Sequence, residues 1–205
     1  VAAVADTLML TTKCSAGCLH CPFSQTDLPA MHLSPAQLRG YFRASQANLI
    51  VISGGETFEH PEIGDLLSEL ALQAKPFRIA TGGHINLLPW AGLIAKLACG
   101  NCGFQGVSLG TDALTPRCPN PNLARVWRQN LAWLNEAELP YSITITLGED
   151  LTMGARSAID QEMMRARPEF LYIRQPGNLE GDVAKWAENL PKYIGTEAIF
   201  DHFDE

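Results

Sequence analysis

At 205 residues, 46% of them apolar and 18% charged, the chain has the size and balance of one globular domain with a sizeable core, spanning residues 1–205. A net charge of −7 argues against a nucleic-acid backbone as main partner; no apolar run reaches membrane-span length, and the opening Val1-Ala2-Ala3-Val4-Ala5-Asp6 lacks the basic stretch of a secretory signal. Six cysteines, three of them clustered, point to metal chemistry in a reducing cytoplasm rather than to disulfides.

The first residue is Val1 rather than Met, as expected if the numbering opens inside a longer sequence. Residues 7–13 read as a first strand leading into a cysteine-rich loop; residues 22–33, polar and broken by Pro29, read as loop. Ser34-Pro35 has the form of an N-cap with Pro at the first helical position, which predicts a helix over 35–46. Leu49-Ile50-Val51-Ile52 predicts a strand over 48–53 that ends in Gly54-Gly55-Glu56. Ile63, Leu66, Leu67, Leu70 and Ala71 fall at helical spacing within 61–74. Strands are then expected over 77–80, 104–109, 141–147 and 170–173, with helices over 87–99, 122–137, 155–165 and 183–189. The tail after 189 carries no clear pattern. Six strand–helix units in series imply parallel strands joined by helical crossovers. Such a sheet closes either as an open doubly wound sheet or as an incomplete barrel, and periodicity does not choose between them.

Cys14, Cys18 and Cys21 stand at the spacing C-x3-C-x2-C in the loop after the first strand. Three thiolates can hold three irons of a four-iron cluster and leave the fourth open to a substrate or cofactor. A structural zinc site normally takes four protein ligands, so zinc fits less well, and unmetallated thiols are the bland alternative.

The triplet resembles the C-x3-C-x-Φ-C motif of the radical S-adenosylmethionine (radical SAM) enzymes, with His20 in the Φ place. The resemblance implies an α/β fold, a partial (β/α)6 TIM-like barrel with parallel strands and the cluster loop after strand one. It implies a [4Fe–4S] cluster on Cys14, Cys18 and Cys21, with SAM on the open iron through its amino and carboxylate groups. An electron donor such as flavodoxin would reduce the cluster, SAM would be cleaved to a 5′-deoxyadenosyl radical, and the radical would abstract hydrogen from a substrate. His20 then lies near the adenine. Gly54-Gly55-Glu56 matches the family's GGE motif, which meets the SAM amine: glycines let backbone approach closely and a carboxylate accepts from an ammonium group. Thr57-Phe58-Glu59-His60-Pro61 continues the run, with Thr57 where Pro is frequent and His60 structural at a helix start. Thr81-Gly82-Gly83 resembles the T/S-N-G at the third strand end, with Gly82 for Asn; His84 follows it, either facing the pocket or exposed in a loop. Ser108 stands where relatives carry S-x-D-G and is a candidate for the SAM ribose or carboxylate, although Gly110 replaces the usual Asp. Thr144 and Thr146 line the pocket from strand five. The segment 172–177 leaves strand six beside the adenine, with Arg174 or Gln175 reaching cofactor or substrate. Cys99 and Cys102 fall at the rim opposite this face and Cys118 in a loop on the near side; all three are expected to be thiols without a metal.

A six-stranded barrel leaves an open side, which favours a peptide or protein substrate; nucleoside or cofactor biosynthesis is the alternative. No leader-binding winged helix is read in the sequence, so a peptide substrate would call for a separate carrier protein. The reading of another class is a non-catalytic iron–sulfur or zinc protein.

Overall fold

The computed structural model describes residues 5–19, 21–24, 29–148, 151–176 and 181–203. Among these residues seven strands pair in sequence order and all in parallel: β1 (Ala5–Met9), β2 (Leu49–Ser53), β3 (Phe77–Thr81), β4 (Phe104–Gly110), β5 (Tyr141–Thr146), β6 (Phe170–Pro176) and β7 (Glu197–Phe203). Between them run α1 (Pro35–Ala44), α2 (Ile63–Leu70), α3 (Ala91–Cys99), α4 (Pro121–Glu136), α5 (Met153–Met163) and α6 (Asp182–Ile194).

The sheet curls into a half-barrel. Arg78 of β3 lies 4.3 Å from the centre of the Phe170 ring of β6. Two strands stand between β3 and β6, so this contact spans the concave face. Register then assigns the faces. Ala80 pairs with Ser108 and Ser108 with Ser142, so these residues share the concave side with Arg78, and Thr144 and Thr146 follow by alternation. The opposite parity, Ile50, Ile52, Phe77, Ile79, Leu109, Ile143 and Ile145, is buried against the helices. Phe77 stacks edge-on against Phe42 of α1 at 5.9 Å and meets Phe104 of β4 at 5.7 Å, which pins the first helix to the sheet.

The six expected strands and six expected helices are present, and a seventh strand is added to the (β/α)6 expectation. β7 pairs with β6 over its whole length, from Phe170↔Glu197 to Pro176↔Phe203. The first strand runs 5–9 rather than the expected 7–13, because beyond Met9 the chain takes on a second set of partners. Thr12 N donates to Met31 O at 3.1 Å, Leu33 N donates to Leu10 O at 2.8 Å, and Thr11 bridges antiparallel to His32. The expected 61–74 helix starts later, at Ile63, because Pro61 and Glu62 form a turn in which Ile63 N donates to His60 O at 3.1 Å, after a separate 3₁₀ turn at residues 57–59. It ends earlier, at Leu70, and Gln73 O receives Gly103 N instead at 2.7 Å. The last helix passes Pro191 and runs to Ile194, where Gly195 in the left-handed conformation (φ 65°) ends it. α1 opens at Ser34-Pro35 as expected, and Gln37 completes a capping box with Ser34.

Candidate functional site

The carboxyl ends of β1, β2 and β3 converge on the cysteine loop. Two amides of the Gly54-Gly55-Glu56 turn hold that loop by its carbonyls. Gly55 N donates to Thr11 O and Glu56 N to Lys13 O, both at 2.7 Å. A Cβ on Gly54, whose φ is 153°, would lie 2.3 Å from Thr11 O, and one on Gly55 would lie 2.4 Å from Lys13 O. The two glycines therefore admit the backbone of the cysteine loop, a contact that no local sequence pattern announces. At its far end the loop is tied to the segment after β4, where Leu19 N donates to Arg117 O at 2.9 Å.

Cys14, Cys18 and Cys21 are all partly exposed thiols on this loop. Burial pushes the Cys14 thiol up to about 12; the Ala16 amide lowers it, and the negative charges of Glu56 and Glu59 raise it further. The Cys18 thiol is raised chiefly by its hydrogen bond to the Cys118 thiol, and then by burial. Thiols bind metal as thiolates, and a bound cation favours that ionised form. Three soft donors on one short loop, with no carboxylate among them, suit an iron–sulfur group in donor chemistry. Among the described residues no three His, Cys, Asp or Glu side chains are already gathered as around an ion.

Glu56 is fully buried, and its oxygens are taken up inside the protein. Oε1 accepts from Phe58 N at 3.0 Å and from Thr81 Oγ1 at 2.8 Å; Oε2 accepts from Gly82 N at 3.0 Å and lies 3.4 Å from His84 Nδ1. Burial raises its pKa, against the opposing pull of His84 and the donated bonds. Thr81 has the parity of the helix-facing side; its hydroxyl serves Glu56 and also accepts from Gly83 N at 3.0 Å. His84 is buried rather than exposed in a loop, and its Nε2 lies 3.3 Å from Glu59 Oε1. Glu59 in turn accepts from Ser15 of the cysteine loop, from N at 2.8 Å and from Oγ at 2.5 Å. Burial pushes the Glu59 carboxyl up, but the Ser15 and His84 bonds outweigh it and hold the pKa below its usual value.

On the concave face Ser108 and Thr144 meet, hydroxyl to hydroxyl, at 2.8 Å. Thr146 contributes its carbonyl, which accepts from Arg117 Nη1 at 2.8 Å. His20 lies outside the described residues; Gln175 is described for its backbone alone, within β6. His60 fills the structural place expected of it, accepting Glu62 N on Nδ1 at 3.0 Å beside the start of α2. Cys102 donates to Leu97 O at 3.4 Å, and Cys99 is exposed at the end of α3, on the opposite rim.

Three residues with roles here escape sequence reasoning. Asn130 of α4 donates to Gly83 O at 2.9 Å and to Ile85 O at 2.8 Å, and accepts from Leu87 N at 3.0 Å, so it shapes the chain after β3. Ser15 and Glu59 join two loops far apart in sequence. The one available signal was the position of Glu59 inside the run that follows Gly54-Gly55-Glu56.

No curated protein matches the sequence. The fold is similar to a crystal structure of SuiB from Streptococcus suis bound to S-adenosylmethionine, with TM-score 0.67 and 14% identity over 98% of this chain and 50% of that one. A second crystal structure of Streptococcus suis SuiB gives 0.66 and 15% over 98% and 49%. The chain thus spans about half the length of the SuiB chains it matches. The model of the Radical SAM superfamily matches residues 8–161, from β1 into α5 and well over half of the chain; the chain belongs to the radical SAM superfamily of enzymes, whose cofactors are a [4Fe–4S] cluster and SAM.

Proposed function

We propose that Cys14, Cys18 and Cys21 hold the cluster and that SAM lies over the ends of β1 to β6. The observation that carries this reading is the seating of the cysteine loop on Gly54-Gly55-Glu56, where two amides and two missing Cβ atoms put loop and turn in direct contact. When bound, the cluster and SAM together supply the one-electron chemistry that abstracts hydrogen from a substrate. The chain's own residues position and enclose them. The Gly54-Gly55 backbone faces the SAM amine. Glu56, whose carboxylate is held by Thr81, Gly82 and His84, keeps that turn in shape and adds negative charge beneath the ammonium group. Ser108 and Thr144, paired on the concave face, offer hydroxyls to the ribose or carboxylate. His20 and Gln175 are assigned to SAM on their positions in the sequence.

Met9 and Ile199, on the two edge strands, are 49% and 42% exposed, and the open side between those edges supports a peptide or protein substrate. A reductant such as flavodoxin and a carrier for the peptide complete the assignment. No helix among the described residues is long and apolar enough to cross a membrane, and six cysteines with three of them clustered fit work in a reducing cytoplasm. Anaerobic reconstitution with iron and sulfide, followed by dithionite and SAM, tests the reading. The expected results are 5′-deoxyadenosine and a shift in the cluster EPR on adding SAM, both lost in Cys14→Ala, Cys18→Ala and Cys21→Ala. A wild-type protein that gives neither refutes it.

A further inference from the structure

Ser15 follows Cys14 directly and is exposed, in a stretch of loop that has neither helix nor strand to hold it. Its amide and its hydroxyl both donate to one oxygen, Oε1 of Glu59, at 2.8 and 2.5 Å. The same oxygen lies 3.3 Å from Nε2 of the buried His84, whose Nδ1 is 3.4 Å from Oε2 of Glu56. One imidazole between two carboxylates therefore joins the cysteine loop, the turn after β2 and the end of β3. Two donors from one residue onto a single charged acceptor fix both the backbone and the side chain at that point, and charge-assisted bonds are about twice as strong as neutral ones.

We propose that Glu59, set in place by His84, is a positioning residue that latches the cysteine loop at Ser15 and so fixes Cys14 against the strand ends. The inference rests on the reading of Cys14, Cys18 and Cys21 as cluster ligands. Glu59 does more than brace the loop. Its carboxylate is held at Ser15, the next residue along the chain from Cys14. A negative charge there opposes adding an electron to a cluster held by Cys14, since net charge nearby sets such potentials. Removing the charge while keeping the hydrogen bond therefore raises the cluster's reduction potential. Removing both also loosens the loop.

Glu59→Ala, Glu59→Gln, His84→Gln and Ser15→Ala in the full chain separate these effects. Hydrogen exchange of the segment around Ser15 is read on the metal-free protein, iron release to a chelator on the reconstituted one, and the midpoint potential by EPR titration. In Glu59→Ala the Ser15 amide should exchange about tenfold faster and iron should leave several-fold faster than in wild type. His84→Gln should show part of the same change, because Glu59 loses its partner but not its charge. Glu59→Gln keeps an acceptor oxygen, so it should restore exchange protection yet shift the potential upward. Ser15→Ala, at an exposed position that does not endanger folding, should raise exchange by about threefold. Wild-type exchange and wild-type iron release in both Glu59→Ala and Ser15→Ala would overturn the latch, and an unshifted potential in Glu59→Gln would overturn the electrostatic part. If wild type takes up no iron, the cluster reading fails, while the exchange measurement still decides the latch.

Discussion

At Gly55 a single absent methyl group decides whether the cysteine loop can lie where it does. A Cβ there would meet Lys13 O at 2.4 Å, a backbone atom that cannot rotate away. Gly55→Ala should therefore displace the loop, cost about 1–3 kcal/mol in urea unfolding, and reduce iron uptake well below wild type. The neighbouring carboxylates supply a second test, of opposite sign. Burial raises the folded-state pKa of Glu56, so its stabilising contribution is complete below the ordinary glutamate range and is lost as pH rises through the raised value. Glu59 is depressed by Ser15 and His84, so its contribution is present above the ordinary range and lost as pH falls through the lowered value. Urea midpoints between about pH 2 and pH 8 should show Glu56→Gln flattening the alkaline limb and Glu59→Gln the acid limb. A common change in both limbs for either variant would contradict this assignment. The sequence made Cys14, Cys18, Cys21 and Gly54-Gly55-Glu56 legible because each is a short local pattern. It could not show that the glycines receive the loop's own carbonyls, or that Glu56 turns inward, because those contacts depend on the register of β1 against β2.

Among the elements, α4 acts well beyond its own burial. Its apolar face packs Trp127, Leu131 and Leu134 into the core, and from the same face Asn130 reaches the chain after β3. Three backbone groups, at Gly83, Ile85 and Leu87, depend on that one buried amide. Asn130→Ala leaves them without their partner and should cost about 2–4 kcal/mol in urea unfolding. Because the segment it shapes leads from Thr81 through His84, the variant should also bind SAM more weakly while the cluster EPR without SAM stays as in wild type. From the sequence Asn130 stands three residues after Trp127 and four before Leu134, on the apolar face, but nothing local names the backbone groups it serves. β7 was hidden for a different reason. Glu197-Ala198-Ile199-Phe200-Asp201-His202-Phe203 mixes polar and apolar residues as an edge strand does, and it follows a helix whose internal Pro191 suggests an earlier stop. β2 carries a continuous apolar run and β5 alternates, with Ile143 and Ile145 set between Ser142, Thr144 and Thr146, so their pattern was plain.

For the molecule as a whole, the open question is how a half-barrel keeps its curvature without closing, and Arg78 bears on it directly. Its guanidinium crosses the concave face to the Phe170 ring and reaches Glu169 Oε2 at 3.5 Å, while Nε and Nη1 are buried without a hydrogen-bond partner among the described residues. Burial lowers its pKa, against the opposing charges of Tyr172 and Glu169. A buried charge with one long, solvent-facing carboxylate partner recovers little of its lost hydration, whereas the aliphatic stem and the ring contact do hold β3 toward β6. The two contributions separate by substitution. Arg78→Met keeps an unbranched apolar stem and removes the unsatisfied charge, so it should leave stability unchanged or raise it by about 1–2 kcal/mol. Arg78→Ala removes the stem as well, opens a cavity beside Phe170, and should lower stability by about 2–4 kcal/mol. Urea midpoints of the two variants decide the matter. If Met is as damaging as Ala, the charge itself spans the barrel, and the curvature depends on an ion pair; if Met is tolerated and Ala is not, packing across the concave face sets the curve on which the cysteine loop and the strand ends converge.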